Sequence, residues 1–174
     1  MSERTWAELA DAATDAAWPV ATLSPHARLA ALAAGLPGTV TEQRVFDAPF
    51  DRVWDFIADL PRSVPAFDSA VADLQVVDRD GSRLIVRSRA PWTRGGLRNT
   101  FDVDLQPGWC WMVARHRLFV VGMAATPDLE DPDRTVFTHL EGMPVGGRLA
   151  RCTRFVHRRQ IRADLDGMER ALGC

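Results

Sequence analysis

Residues 46–60 read FDAPFDRVWDFIADL, and the way this stretch joins its flanks decides the fold. Pro49 stands where a helix can open, because its missing N–H costs nothing in a first turn. Val53, Phe56, Ile57 and Leu60 then recur at i, i+3, i+4 and i+7, with Trp54 widening the apolar stripe. Asp47 and Asp51 lie near the positive end of the helix dipole. Leu60-Pro61 stops the run, and RSVPAF makes one more turn. Taken alone, this is an amphipathic helix that needs a sheet to cover.

The flanks supply the sheet. Immediately upstream, TVTEQRVF (39–46) is a strand candidate with Val40 and Val45 among polar positions. Downstream, VADLQVVD and SRLIVRSRA flank Asp80-Gly81, a hairpin turn signal. The loop PWTRGGLR leads into NTFDVDL, and Pro107-Gly108 turns the chain into WCWMVARHR. LFVVGMAAT follows, then the polar PDLEDPDR and the strand TVFTHLEG. About seven strands adjacent in sequence predict an antiparallel meander. A long helix then runs from about residue 145 to 172, roughly 42 Å at 1.5 Å per residue, and Gly173 ends it.

That helix carries two apolar stripes. Leu149, Cys152, Val156 and Ala163 share one side, and Ile161, Leu165, Met168 and Leu172 another. One stripe is expected to face the concave sheet and the other to pack on neighbouring structure, such as the N-terminal helices. Between them runs an arginine face of Arg148, Arg151, Arg158, Arg159 and Arg162. It reads either as a solvated surface or as a docking strip for an acidic partner. Residues 1–38 form a helical extension before the main domain, 39–174. Thr5-Trp6-Ala7-Glu8 has capping-box spacing, and Ser24-Pro25 offers a second helix start.

Composition narrows the function classes. With 174 residues the chain suffices for one substantial domain. A net charge of -2 argues against general nucleic-acid binding. No apolar run approaches the ~20 residues of a membrane span, and the N-terminus has no signal-peptide core. The cytoplasm is therefore the expected compartment. Cys110, Cys152 and Cys174 form no CxxC pair and read as reduced thiols, mostly buried. Lysine and tyrosine are both absent, so any cation in a pocket is a guanidinium unless a histidine is protonated. Net charge runs from -2 over residues 1–38 and -4 over 39–144 to +4 over 145–174.

The order of strand, short helices, six antiparallel strands and long C-terminal helix resembles the START-like (SRPBCC) superfamily. Within it the chain is most similar to the polyketide cyclase/dehydrase and lipid-transport branch. The resemblance rests on FDAPFDRVWDFIADLPRSVPAF, the turn at Gly81, LQPGWCW, AATPD, DRTVFTHLEG and RADLDGMERALG, spanning about residues 40–173. It implies an α+β helix-grip fold, a curved antiparallel sheet of about seven strands wrapped round the C-terminal helix. It also implies a cavity for a hydrophobic ligand. The activity implied is a polyketide cyclase/aromatase-like one, or else non-catalytic carriage or sensing of a hydrophobe. An acyl carrier protein would fit the acidic-partner reading of the arginine face. A monomer or a homodimer is expected.

No nucleotide, metal or hydrolase motif is present, so neither a cofactor nor a metal is expected. In such a fold the pocket is lined by alternate strand positions. On SRLIVRSRA one face carries Ile85, Arg87 and Arg89, the other Leu84, Val86 and Ser88. If the first face turns inward, two guanidiniums could steady enolate charge; if the second does, both arginines are solvated. His139 shares a strand face with Thr135, Phe137 and Glu141, and placed inward it is the best general acid or base, with Glu141 to orient it. Trp92, Phe101, Trp111, Phe119 and Phe137 supply aromatic bulk for core or cavity wall, with Val156 on the long helix. His116 is placed near the pocket mouth, and His26 and His157 at the surface. The two glycines of PWTRGGLR suit a lid or a plain connection.

Overall fold

The computed structural model describes residues 22–91, 98–144 and 146–174, with the backbone alone at 147–149 and 151–152. Ser24 caps the first helix, α1 (Pro25–Gly35), by accepting from the Ala27 N–H at 3.3 Å, and Pro25 fills its first turn. The strand β1 (Thr39–Phe46) follows, then α2 (Phe50–Ala58) and α3 (Leu60–Phe67). The stripe read over 46–60 is broken at Asp59, so two short helices stand where one and a turn were expected. Six strands come next: β2 (Asp73–Asp80), β3 (Arg83–Arg89), β4 (Arg98–Gln106), β5 (Trp109–Ala114), β6 (Val120–Pro127) and β7 (Thr135–Gly142). The chain ends in α4 (Gly147–Leu172), whose 26 residues span about 39 Å.

All strands belong to one antiparallel sheet in the order β1-β7-β6-β5-β4-β3-β2. Gly81 and Gly108, both with φ near 60–70° (57° and 71°), make the tight turns of the β2–β3 and β4–β5 hairpins. The first strand pairs with the last, and β2 lies at the far edge. The chain must therefore cross the whole sheet between β1 and β2, and α2 and α3 make that crossing. Val53, Trp54, Ile57, Leu60, Val64 and Phe67 bury themselves in the main core as they pass. This is the helix-grip architecture, a curved sheet closed round one long helix.

Each face of the sheet has its own core. The inner face packs Leu84, Val86, Phe101, Met112, Met123 and Phe137 against Ile161, Leu165, Met168 and Leu172 of α4. Fully burying such side chains contributes about 1.5–3 kcal/mol apiece. The second core lies on the outer face, where Leu29 of α1 is fully buried against Trp109, Val120, Ala124 and Leu140. Gly122 permits that docking, since a Cβ there would run into Leu29 and the Trp111 ring. The N-terminal helix α1 thus covers the back of the sheet and does not pack on α4. Of the second stripe of α4, Val156 is 63% exposed and Ala163 is exposed; the side chains of Leu149 and Cys152, and the first N-terminal helix expected to start at Thr5, fall outside the described residues.

Ion pairs tie α4 to β1. Arg44 meets Asp166 at 2.8 Å and Glu169 at 3.0 Å, and Arg158 and Arg162 both reach Glu42. Arg52 donates to the Leu172 carbonyl at the far end of the helix. No described helix is long and apolar enough to cross a membrane.

Candidate functional site

The grip leaves two connected chambers between the sheet and α4. The inner one, about 50 Å³, is walled by Leu74, Met112, Val121 and Met123 and floored by His139, Glu141 and Asp164. The outer one, about 470 Å³, opens past Leu118, His116, Val156 and His157. Asp68, Val71, Ser88, Phe101, Phe119 and Glu141 line both, so the two form one continuous space. A larger depression of about 560 Å³ lies on the outer side of the sheet, lined by Asp78, Asp80, Arg83, Asp102 and Asp104. It gathers surface charge and no buried polar group, so the inner space is the better candidate.

His139 points inward because β7 alternates. Thr135, Phe137, His139 and Glu141 face the core while Val136, Thr138 and Leu140 face out. The imidazole is 2% exposed, between Phe67 (ring centroids 6.4 Å, edge-on) and Phe137 (6.4 Å). Its Nδ1 has no hydrogen-bond partner. Burial lowers its pKa, against a smaller opposing pull from Glu141, so the ring is neutral at neutral pH. Two residues on, Glu141 Oε1 is hydrogen-bonded to His157 Nδ1 at 3.2 Å, and its Oε2 has no partner.

The third member comes from α4. Asp164 is 1% exposed, and its Oδ1 accepts from Gln160 Nε2 at 2.8 Å. The same amide donates to Asp68 Oδ1 at 3.2 Å, bridging the two carboxyls. Burial first, then the nearby Asp68 and Glu141, push Asp164 up to about 9, with the Gln160 bond opposing. Asp68 rises to about 6, mainly through burial, against the Ala70 N–H that it accepts at 2.8 Å. Ligating atoms of His139, Glu141 and Asp164 all lie within 4.8 Å of one another. Such a floor can hydrogen-bond and polarise a carbonyl, or hold a divalent cation.

The other expected residues divide between the two faces. Phe101 and Phe119 wall the cavity, their rings 6.3 Å apart, and Val156 and His116 stand at its mouth. Phe137 is fully buried behind His139, its ring tilted at 49° to that of Phe46 with centroids 5.7 Å apart. Arg87 and Arg89 are exposed on the outside of β3, because Leu84, Val86 and Ser88 take the inward positions. The picture of guanidiniums inside the cavity is thereby corrected, since burying two unpaired charges would cost far more than burying two aliphatic side chains. Ile85 and Trp111 also face out, and line the outer depression rather than the cavity. Trp92 and the glycines of the PWTRGGLR loop lie outside the described residues.

His157 is not a free surface residue but holds Glu141, and His26 is bonded to Thr138 (2.8 Å) and Thr126 (3.1 Å). Reading the sequence missed Asp164, Asp68 and Gln160. Asp164 had left a signal: with Ile161, Leu165 and Met168 it completes i, i+3, i+4, i+7, so an acid occupies a place in the buried stripe.

No family profile matches the chain, and no curated protein matches it in sequence. Solved structures share its fold. The Zhui aromatase/cyclase from Streptomyces sp. R1128 is similar with TM-score 0.56 at 19% identity, over 78% of this chain and 93% of that one. A START superfamily protein from Mycobacterium smegmatis gives 0.58 at 13% identity, over 78% and 97%. Ara h 8.0201 gives 0.56 at 10% identity, over 77% and 96%. At these identities the likeness is one of fold: the chain has the START-like, helix-grip fold.

Proposed function

We propose that this chain binds a hydrophobic small molecule bearing carbonyl or hydroxyl oxygens and acts on it as a polyketide cyclase/aromatase-like enzyme. The observation that carries the reading is the polar floor beneath apolar walls. His139 Nδ1 and Glu141 Oε2 are buried without partners, and an unpaired buried polar atom costs about 1–3 kcal/mol unless something satisfies it. A ligand hydroxyl or enol entering the inner chamber would satisfy both, donating to Glu141 Oε2 and accepting from His139. The body of the ligand would lie in the outer chamber against Phe101 and Phe119, whose rings meet edge to face. Catalysis would combine folding of a reactive chain by the walls with activation of one carbonyl at the floor. The fold shared with an aromatase/cyclase agrees with this reading.

Substrate delivery fits an acidic partner such as an acyl carrier protein. Arg154 and Arg159 are exposed on α4, whose Val156 and His157 line the mouth, and Phe155 and Leu118 are exposed as well, at 76% and 52%. The reading is tested by incubating the protein with a reactive poly-β-ketone and resolving the cyclised products. A changed product distribution that reverts to the spontaneous one in Asp164→Asn and His139→Ala supports it. Tight binding with an unaltered distribution would make the chain a carrier of hydrophobes instead.

A further inference from the structure

The floor of the inner chamber carries more acid than an organic ligand alone explains. Carboxyl groups of Glu141, Asp164 and Asp68 converge there, and among the described residues no arginine lines either chamber. Each prospective ligand is also held from behind. His157 engages one oxygen of Glu141 and leaves the other unpartnered, Gln160 engages one oxygen of Asp164, and two aromatic rings fix the plane of His139. Outer partners that orient a ligand while leaving one atom free are the usual surroundings of a protein-bound metal.

We propose that His139, Glu141 and Asp164 form a mononuclear site for a divalent transition-metal ion, open toward the cavity. Two ligands stand two residues apart on the inward face of β7 and the third comes from the facing turn of α4. Their ligating atoms lie within 4.8 Å of one another. Bonds of about 2.0–2.2 Å bring neighbouring ligand atoms to about 3 Å, a contraction that side-chain rotation supplies. One imidazole nitrogen with two carboxylate oxygens suits Zn²⁺, Fe²⁺, Co²⁺ or Mn²⁺ better than Ca²⁺ or Mg²⁺, which favour oxygen alone. Because all three residues line the inner chamber, the remaining coordination positions face the ligand space. An ion there would polarise the substrate oxygen that the proposed function brings to this floor. The inference rests on that reading for its purpose, but its test needs no organic ligand, so the two can fail separately.

The full chain is stripped with chelator, then titrated with Co²⁺ by visible absorption and with Zn²⁺ by calorimetry. One ion per chain is expected, with Co²⁺ bands showing mixed nitrogen and oxygen ligation. Asp164→Asn, nearly isosteric, and His139→Ala should each weaken binding at least tenfold, about 1.4 kcal/mol, while melting curves confirm that both variants fold. No saturable binding by the wild type would overturn the site. So would equal binding by wild type and both variants, which would place the ion on surface carboxylates. Should His139→Ala fail to fold, Asp164→Asn and Glu141→Gln decide alone.

Discussion

Gly167 of α4 lies against the backbone of Phe67 at the end of α3, and replacing it sets two opposing effects against each other. In a helix interior, Gly→Ala should stabilise by up to about 1 kcal/mol, because glycine loses more backbone freedom on folding. A Cβ at this position, however, would lie 2.7 Å from the Phe67 carbonyl oxygen and 2.9 Å from its Cα. Ordinary contact begins near 3.4 Å, so the two helices must separate by about 0.7 Å. Those atoms are backbone, and no rotamer change relieves them. Overpacking of this kind costs about 1–3 kcal/mol, so the clash outweighs the propensity gain and Gly167→Ala should destabilise by about 1 kcal/mol. At this chain length that lowers Tm by about 2–4 °C. Gly35→Ala is the control, since a Cβ there meets nothing within 4 Å and its φ is not positive. Thermal unfolding of both variants by circular dichroism reads the result. The separation also moves Phe67 away from His139, so ligand affinity should fall together with Tm. A Gly167→Ala melting point raised as much as that of Gly35→Ala would refute the close packing of α3 on α4.

Two more predictions concern residues away from the cavity. Burial holds the pKa of His26 below its unfolded 6.5, so the unfolded chain takes up the proton first and stability is lost as pH falls below about 6.5. Urea midpoints between pH 7.5 and 5 should fall less steeply in His26→Gln than in the wild type, and parallel slopes would show that His26 does not contribute. Arg87→Ala with Arg89→Ala should leave ligand affinity within about twofold and Tm nearly unchanged, as expected for solvated charges. A tenfold loss of affinity would mean that β3 turns its other face to the ligand.

The fold was legible because each of its signals is local. Alternation marked the strands, Asp80-Gly81 and Pro107-Gly108 marked turns, Ser24-Pro25 marked a helix start, and the order of elements did the rest. The break at Asp59 was less legible, since the apolar stripe runs straight across it. Site residues were harder to read for a physical reason. Period-2 alternation shows that Leu84, Val86 and Ser88 share a face but not which face is inside; core packing against α4 decides that. On β7 the choice was easier, because Phe137 accompanies His139 and Glu141. Gln160 and Asp164 are i, i+4 neighbours on α4, but Asp68 joins them only when α4 closes over the sheet, and no spacing in the chain encodes that contact. Where α1 docks was open on the same ground: Leu29, Leu32, Ala33 and Leu36 show that the helix has an apolar face, not that Trp109, Ala124 and Leu140 receive it.

Ligand binding requires that the cavity accept an organic molecule, and Val71 gives the direct test because it lines both chambers. A flat bicyclic phenol such as 2-naphthol is titrated into the wild type and into Val71→Trp by calorimetry at several temperatures. Saturable one-to-one binding is expected, with a negative heat-capacity change, the mark of buried apolar surface. The plugged variant, with its melting curve preserved, should bind at least tenfold more weakly. Equal binding by the two proteins, or no saturable binding by the wild type, would contradict ligand binding in the cavity.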